Sequence, residues 1–319
     1  MRQTINVYMK LCHFEFVAVR RYASRLPKPG ETLHGHEFKT GFGGKGANQC
    51  VAAARLGAKT AMIAKLGDDT WGSKYLEHLR SEHVNVDYVQ KCKGETTGIA
   101  QISVSDSGEN HIIIVVGANN LLSAEDVNKS KLLFNSAKVL VCQLETPLSA
   151  TLEALRAFKG ISILNTAPAL ENTPVDLIKS ATILCLNETE AALTTGCDKI
   201  SSLTQAKVAM ERLLEMGAKN VIITLGPAGA VYARREDPEI FIHVPAPRVS
   251  NVVDTTGAGD AFIGALAYYM SHFPDFPWHQ LIGAANQVAA YSVGHQGTQA
   301  SFPKLEQVTK QTEFEWNEI

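Results

Sequence analysis

The stretch Asp254-Thr-Thr-Gly-Ala-Gly-Asp260 runs directly into the apolar segment Ala261-Phe-Ile-Gly-Ala-Leu-Ala267. Two glycines and a carboxylate therefore stand at the opening of a predicted helix, where free N–H groups and the helix dipole attract anions. In phosphoryl transfer such N–H groups hold the developing phosphate charge, and a carboxylate accepts the proton of the attacking hydroxyl. The stretch predicts this chemistry, with Asp260 as the base. The alternative is an ordinary aspartate near a helix N-terminus.

The chain around this stretch alternates short β-branched runs with helical patterns. The predicted strands are residues 61–65, 139–144, 161–165, 182–186 and 221–225. The predicted helices are residues 47–56, 74–82, 124–134, 149–158 and 202–216, with caps at Ser123 and Ser202. This alternation is typical of an α/β fold with a doubly wound, mostly parallel sheet covered by helices on both faces.

Two regions interrupt the alternation, at about residues 31–42 and 96–116. Both have period-two patterning, and Asp106-Ser-Gly-Glu109 is a hairpin signal between the strands of the second region. We interpret them as a small β lid over a ligand cleft, attached to a single α/β domain that covers residues 1–319.

Composition excludes several classes of protein. A net charge of −2 provides no footprint for nucleic acid or an anionic membrane, and no apolar run reaches the ~18 residues that span a bilayer. The N-terminus does not have the pattern of a signal peptide. The six cysteines form no C-x-x-C pair and lie in part within apolar runs, which predicts reduced thiols of an intracellular protein.

The segment Gly41-Phe-Gly-Gly-Lys-Gly-Ala-Asn48 contains a formal G-x-G-x-x-G, followed by Asp68 at the spacing of a ribose-binding acid. We reject a dinucleotide site because the preceding residues are too polar for a buried parallel strand. The segment is not a P-loop, since Gly46 follows Lys45. We favour a loop whose backbone approaches a small polyhydroxylated ligand, with Lys45 and Asn48 as polar contacts. A plain glycine turn is the alternative.

Polar residues follow three predicted strands, at the edge where ligands dock in open α/β sheets. The turn Thr224-Leu-Gly-Pro-Ala-Gly229 suits a nucleotide or is a tight turn only. Asn187-Glu-Thr-Glu190 suits magnesium beside phosphates, or caps a helix. Glu145 suits a sugar hydroxyl, or is a surface carboxylate. A metal pair of His34 and His36 is disfavoured because no third ligand has a sensible spacing.

Taken together, these motifs resemble those of ribokinases, within the phosphofructokinase-B-type sugar kinases. The resemblance extends from about residue 25 to residue 303, and Gly43-Gly-Lys-Gly-Ala-Asn-Gln49 and the Asp254–Asp260 segment are its most specific parts. It implies ATP-dependent phosphorylation of D-ribose at the 5-hydroxyl, with magnesium and a monovalent cation, usually potassium. It also implies a homodimer paired through the lids and a cytoplasmic location, with the nucleus as an alternative.

The resemblance assigns roles by motif. Asp260 is the base, with an anion hole from Gly257, Ala258 and Gly259. The sugar site comprises Gly44, Lys45, Gly46, Ala47, Asn48, Glu145 and Asp260. The ATP site comprises Asn187, Thr224, Leu225, Gly226, Pro227, Ala228, Gly229, Gly259 and Asn286. The potassium site comprises Asp254, Thr256, Ser292, His295, Gly297 and Ser301, and Glu190 belongs to the magnesium network.

One departure concerns residues 8–21, which lack the Asn-x-Asp that grips the sugar in ribokinases. Glu15 is the nearby carboxylate. Losing a charged hydrogen bond to substrate costs roughly 1.5–3 kcal/mol. Either the coding sequence is faulty at its 5′ end, or the sugar pocket differs. The rival hypotheses are a non-catalytic sugar or nucleotide sensor, a kinase for another sugar or nucleoside, and an NAD-dependent oxidoreductase.

Overall fold

The computed structural model describes residues 12–13, 16–308 and 313–319. In this part of the chain the strands are β1 (Cys12–His13), β2 (Phe16–Ala23), β3 (Glu37–Gly43), β4 (Ala61–Gly67), β5 (Asn85–Cys92), β6 (Ile99–Ser105), β7 (Asn110–Val115), β8 (Val139–Cys142), β9 (Ile161–Asn165), β10 (Ile183–Asn187), β11 (Asn220–Thr224), β12 (Ala230–Arg234), β13 (Asp237–Val244) and β14 (Asn317–Glu318). The α-helices are α1 (Lys45–Arg55), α2 (Thr70–Ser81), α3 (Ala124–Lys129), α4 (Lys131–Ser136), α5 (Leu148–Ala157), α6 (Val175–Ser180), α7 (Glu188–Thr195), α8 (Leu203–Glu215), α9 (Ala258–His272) and α10 (Trp278–Ser292).

Two sheets form the body of the protein. Strands β8, β9, β10 and β11 are parallel neighbours, and β12, β13 and β14 continue the same sheet in antiparallel pairing. A second sheet of β1, β4 and β5 is parallel throughout. The predicted parallel α/β architecture is confirmed. The antiparallel strands after β11 were not predicted, because their hairpin lies beyond the regular alternation of strands and helices.

Both faces of the large sheet are buried, as the continuous apolar strands predicted. Val139 and Val141 of β8 point into one core with α1, α2, α9 and α10, whereas Leu140 and Cys142 point into a second core with α3 to α8. This alternation follows the period of two along a strand. The sheet therefore separates two helical layers, and its carboxyl edge stays open between them.

A third sheet, in the order β3-β2-β6-β7, forms the lid. Strand β2 pairs parallel to β6 and antiparallel to β3, so it belongs to this third sheet and not to the two sheets of the body. The first predicted lid region is a strand only from Glu37; the residues before it form a loop that is held by an Arg25–Glu31 ion pair. Glu15 lies outside the described residues, and so does part of the stretch 8–21 that lacks the Asn-x-Asp.

The predicted helix at 124–134 is two helices, α3 and α4, that meet at Ser130. The hydroxyl of Ser130 donates to the carbonyl of Asp126 at 2.8 Å, a local bond that competes with continued helix. The two predicted caps are confirmed: Ser123 accepts from the N–H of Asp126, and Ser202 accepts from the N–H of Gln205.

Candidate active site

A cavity of about 190 Å³ lies where the carboxyl ends of the parallel strands meet the first turns of α1 and α9. It is lined by Lys45, Asn165, Ala167, Cys185, Leu186, Asn187, Glu190, Thr224, Gly257, Gly259, Asp260 and Ile263. Chain topology explains the meeting, because parallel strands bring their carboxyl ends to one edge and α1 packs along α9. Residues separated by more than 200 positions in sequence thus share one cavity.

Asp260 lies in the first turn of α9, and each of its carboxylate oxygens accepts a hydrogen bond from an amide of α1. Asn48 Nδ2 donates to Oδ2 at 2.8 Å, and Gln49 Nε2 donates to Oδ1 at 2.9 Å. Burial raises the pKa of Asp260 above its ordinary value, while the charge of Lys45 and the two amides act in the opposite direction. The carboxylate is therefore fixed in orientation and is a stronger base than a solvated aspartate.

The turn before α9 depends on Gly257, which has a φ of 82°. A Cβ at this position would lie 2.5 Å from Thr298 Cγ2, so a side chain is excluded by both conformation and space. Gly257 and Gly259 line the cavity at the helix N-terminus. The N–H of Ala258 donates to the carbonyl of Thr255 at 3.2 Å, so that group of the predicted anion hole is already engaged.

Lys45, which lines the cavity, is hydrogen-bonded to Glu145. The backbone N–H of Lys45 donates to Glu145 Oε2 at 3.0 Å. Burial raises the pKa of Glu145 to about 7, against the opposing effects of the Lys45 charge and N–H. Burial alone would lower the pKa of Lys45, but Asp260, Glu145 and Glu190 hold it above its ordinary value. Lys45 is thus a charged ammonium that faces three carboxyl groups.

Asn187 and Glu190 form a capping box at the start of α7. Of the two roles that the sequence suggests for this segment, magnesium binding and helix capping, the structure contains the cap. Asn187 Oδ1 accepts from the N–H of Glu190, and the carboxylate of Glu190 accepts from the N–H and the amide of Asn187. Both residues also line the cavity. Burial raises the pKa of Glu190. Its carboxylate is already bonded within the protein, so it suits magnesium through a water molecule more than directly.

The glycine turn at 224–229 follows β11 at the same edge. Thr224 lines the cavity, Gly226, Pro227 and Ala228 are exposed in a 3-10 turn, and the N–H of Leu225 donates to the carbonyl of Gly229 at 2.7 Å. Asn286 is buried in α10 and donates to the carbonyl of Val244 at 3.0 Å. It is not among the residues that line the cavity in the described chain.

The residues assigned to potassium come from two loops and the end of α10. The carboxylate of Asp254 joins the two loops, because Oδ1 accepts from the N–H of Thr256 at 2.9 Å and Oδ2 from the N–H of Gly297 at 3.0 Å. Although burial opposes it, these bonds lower the pKa of Asp254. Ser292 and Ser301 are buried, and their hydroxyls donate to backbone carbonyls. His295 Nδ1 lies 3.0 Å from the carbonyl of Tyr291.

The formal G-x-G-x-x-G is divided between the lid and the body, since Gly41 and Gly43 belong to β3 and Gly46 to α1. Strand β3 is antiparallel to β2 and lies outside the parallel sheet. A dinucleotide fingerprint requires a parallel strand before its first glycine, so the structure supports the rejection of that role.

Four buried amides of the site were not predicted. Gln49 carries the contact to Asp260, Gln143 donates to Gln49, Asn165 accepts from Gln49 at 3.1 Å, and Gln299 donates to Asn48 at 3.0 Å. Gln49 stands inside the quoted glycine motif, which was the one available signal. Gln143 lies close to Glu145, and Gln299 lies between Gly297 and Ser301, but their contacts, like those of Asn165, depend on distant segments that no local pattern predicts.

Comparison with known proteins shows the family of the chain. Residues 12–305 match the model of the pfkB family carbohydrate kinases. Mouse ribokinase is 45% identical over 88% of this chain and 87% of its own length, and a Salmonella typhi deoxyribokinase is 39% identical over 90% and 92%. The structure of Arabidopsis thaliana ribokinase with ribose and ATP superimposes with a TM-score of 0.86 at 28% identity, over 95% of this chain and 97% of that one.

The chain therefore belongs to the pfkB family of carbohydrate kinases. Its fold is the ribokinase-like α/β fold with a β lid. In the described residues, no helix is both long enough and apolar enough to cross a bilayer.

Proposed function

We propose that this protein phosphorylates D-ribose at the 5-hydroxyl with ATP as the phosphoryl donor. One observation carries the proposal: the carboxylate of Asp260, fixed by two amides, stands beside the N-terminus of α9 in a cavity that also contains Lys45. A base, a set of N–H groups and a cation at one point are the parts that phosphoryl transfer requires. The similarity to ribokinases from mouse and Staphylococcus aureus supports ribose as the substrate.

In this proposal Asp260 accepts the proton of the sugar 5-hydroxyl while the oxygen of that hydroxyl attacks the γ-phosphorus of ATP. The new oxygen–phosphorus bond forms while the bond to the β-phosphate bridging oxygen breaks, and ADP leaves. The N–H groups of Gly257 and Gly259 and the ammonium of Lys45 stabilise the negative charge of the transferring group. Gly44, Gly46, Ala47, Asn48 and Glu145 hold the sugar.

ATP lies along the carboxyl edge of the sheet, over Asn187 and the 224–229 turn. The cavity of about 190 Å³ holds only the phosphate end, so the base and ribose of ATP extend over the exposed turn. Asn286 contributes indirectly, because its side-chain amide donates to the carbonyl of Val244 and so supports the backbone there. Magnesium would accompany the phosphates, and the buried carboxylate of Glu190 would hold it through water.

The oxygens near Asp254 suit a monovalent cation such as potassium. One carboxylate, hydroxyls and backbone carbonyls of two joined loops make a hard donor set with little net charge. Asp254, Thr256, Ser292, His295, Gly297 and Ser301 would hold the cation, through backbone carbonyls where side chains are engaged. Bound there, it would neutralise charge beside the anion hole.

We also propose that two copies pair through their lids, since β7 carries exposed apolar residues on both faces. A cytoplasmic location stays a prediction from the cysteine pattern, with Cys50, Cys142 and Cys185 buried in the body. The nuclear alternative has no support in the described structure.

Replacement of the base tests the proposal. Asp260→Asn keeps the shape of the side chain but removes the proton acceptor, so we expect kcat to fall by about 10²–10⁴-fold in an ADP-release assay with ribose. Asp275→Asn, which changes an exposed aspartate in the loop after α9, should leave kcat unchanged. Full turnover by a folded Asp260→Asn protein would refute the role of base.

A second candidate substrate is 2-deoxyribose, because deoxyribokinase is among the similar proteins and the Asn-x-Asp is missing. Comparison of kcat/KM for ribose, 2-deoxyribose, hexoses and nucleosides, with and without potassium, decides between them. Thermal stabilisation by ribose and ATP without ADP release for any sugar would instead favour the non-catalytic sensor.

A further inference from the structure

A chain of hydrogen bonds leads away from the catalytic carboxylate to the surface of α2. Asn48 Nδ2 donates to Asp260 at 2.8 Å, Gln299 Nε2 donates to Asn48 Oδ1 at 3.0 Å, and His78 Nε2 lies 2.6 Å from Gln299 Oε1. Asn48 and Gln299 are 6% and 4% exposed, so water does not substitute for these partners. The chain links α9, α1, the loop after α10 and α2.

The carboxylate of Asp260, at the end of this series of hydrogen bonds, fixes the direction of every bond in it. An ionised carboxylate only accepts, so Asn48 must turn its NH₂ group toward Asp260 and its oxygen away. That oxygen needs a donor, which the NH₂ group of Gln299 provides. The oxygen of Gln299 then faces His78, whose Nε2 must carry a hydrogen. All donors therefore point toward the carboxylate.

Gln299 is itself held firmly. Its carbonyl accepts from Arg55 Nη1 at 2.6 Å, and Arg55 is fixed by Glu82 through bonds of 2.9 Å and 2.6 Å. Its NH₂ group also lies 3.5 Å from the hydroxyl of Tyr75, and His78 stacks on Phe42 with 4.5 Å between ring centroids. Backbone and amide are both anchored, so the donor aimed at Asn48 has a defined position.

We propose that Gln299 is a positioning residue for phosphoryl transfer, which fixes the direction of the Asn48 amide and so the orientation of the Asp260 carboxylate. The proposal rests on the role of Asp260 as the base. It also gives the loop that carries Gly297 and Ser301 a direct connection to the base, separate from any cation bound there.

Two substitutions distinguish a role of Gln299 in orienting the Asn48 amide from a role in packing alone. Gln299→Met fills the space but donates nothing. Gln299→Glu keeps an acceptor for His78 and replaces the donor to Asn48 by a second acceptor, which favours the reversed Asn48 amide. We expect kcat to fall roughly tenfold to a hundredfold in both variants, more in Gln299→Glu, with KM for ATP nearly unchanged. Gln307→Glu, on the same C-terminal segment and bonded to Tyr291, is the matched control and should keep normal kcat.

The pH dependence of kcat gives a readout that a packing role would not move. Gln299→Met removes the donor that holds Asn48 Oδ1 away from Asp260, so the Asn48 amide no longer has a fixed direction. Its weakened hydrogen bond to Asp260 raises the pKa of that carboxyl, and the acidic limb of the profile should shift upward. Lys45, Glu145 and Glu190 also face Asp260, and they are identical in all variants. An upward shift in Gln299→Met but not in Gln307→Glu supports the proposal.

Assays at saturating potassium separate this effect from damage to a cation site. A kcat defect that persists at high potassium supports positioning, whereas a defect that disappears there overturns it. An unshifted acidic limb in both Gln299 variants also overturns it. If Asp260→Asn is inactive while the Gln299 variants behave normally, only this inference fails; if Asp260→Asn is active, the proposed base itself fails.

Discussion

Glu145 is a carboxyl group in an environment that disfavours its charge. Its Oε2 accepts a hydrogen bond from the N–H of Lys45, and burial raises its pKa to about 7. The folded state therefore binds a proton at Glu145 more tightly than the unfolded chain does, where the pKa is near 4.5. Wild-type protein should lose this contribution to stability as the pH rises from about 4.5 through 7.

Glu145→Gln keeps an acceptor for Lys45 and removes the ionisation. We expect the unfolding temperature of the variant minus that of wild type to be about 2 °C larger at pH 8 than at pH 4.5. This change corresponds to roughly 1 kcal/mol in the free energy of unfolding. Differential scanning calorimetry at both pH values measures this. Glu211→Gln, an exposed residue of α8, is the control and should show no such change. A constant difference for Glu145→Gln across this range would contradict the raised pKa.

At the scale of elements, the site depends on how closely α9 packs against α1. Gly264 makes this approach possible: a Cβ there would lie 2.5 Å from the carbonyl oxygen of Gln49 and 2.6 Å from Ala52 Cβ. The same two helices carry Asp260 and the amides of Asn48 and Gln49. The distance between the helices therefore sets the hydrogen bonds of the base.

Gly264→Ala should push the helices apart, because the atoms that it meets include backbone and cannot rotate away. We expect a loss of about 1–3 kcal/mol in the free energy of unfolding and at least a tenfold fall in kcat. Urea denaturation and ADP release measure the two effects. Gly41→Ala in the lid is the control, since a Cβ there meets no atom within 4 Å. A Gly264→Ala protein with normal stability and turnover would show that the helices tolerate separation.

At the scale of the whole molecule, the lid exposes several large apolar side chains next to one another. Ile112, Ile113, Ile114 and Val115 of the edge strand β7 are each more than half exposed, with Ile113 at 63%, and Phe38 of β3 is 62% exposed. A single-layer sheet can cover a ligand with only one face. The other face is available to the lid of a second copy, and contiguous apolar surface of this kind marks interfaces.

Ile113→Lys should convert a lid-paired dimer into monomers, because a buried ammonium without a partner is costly. Light scattering after size exclusion at micromolar concentration measures the mass. Leu132→Lys alters a residue of α4 that is 75% exposed, outside the lid, and should leave the mass unchanged. A wild-type monomer, or an unaffected Ile113→Lys dimer, would rule out lid pairing.

The sequence alone determined the architecture and predicted candidate reacting groups. Strand–helix alternation predicted the parallel sheet because buried strands and their covering helices are local patterns. The segment ending in Asp260 predicted a carboxylate at a helix N-terminus, since both features belong to one short stretch. The limits of such local patterns are visible at Ser130, where a hydrogen bond of the hydroxyl divides the helix predicted at residues 124–134.

Only the tertiary structure decided how the base is held. Gln49, Gln143 and Gln299 come from separate segments, and although Gln49 belongs to the glycine motif, no local pattern predicts that the three amides meet near Asp260. Hydrogen bonds form over about 3 Å, so they depend on the packing of α1, α2 and α9 rather than on any periodic pattern. The local sequence therefore predicted which groups are candidates for the reaction, and long-range packing decided where their side chains point.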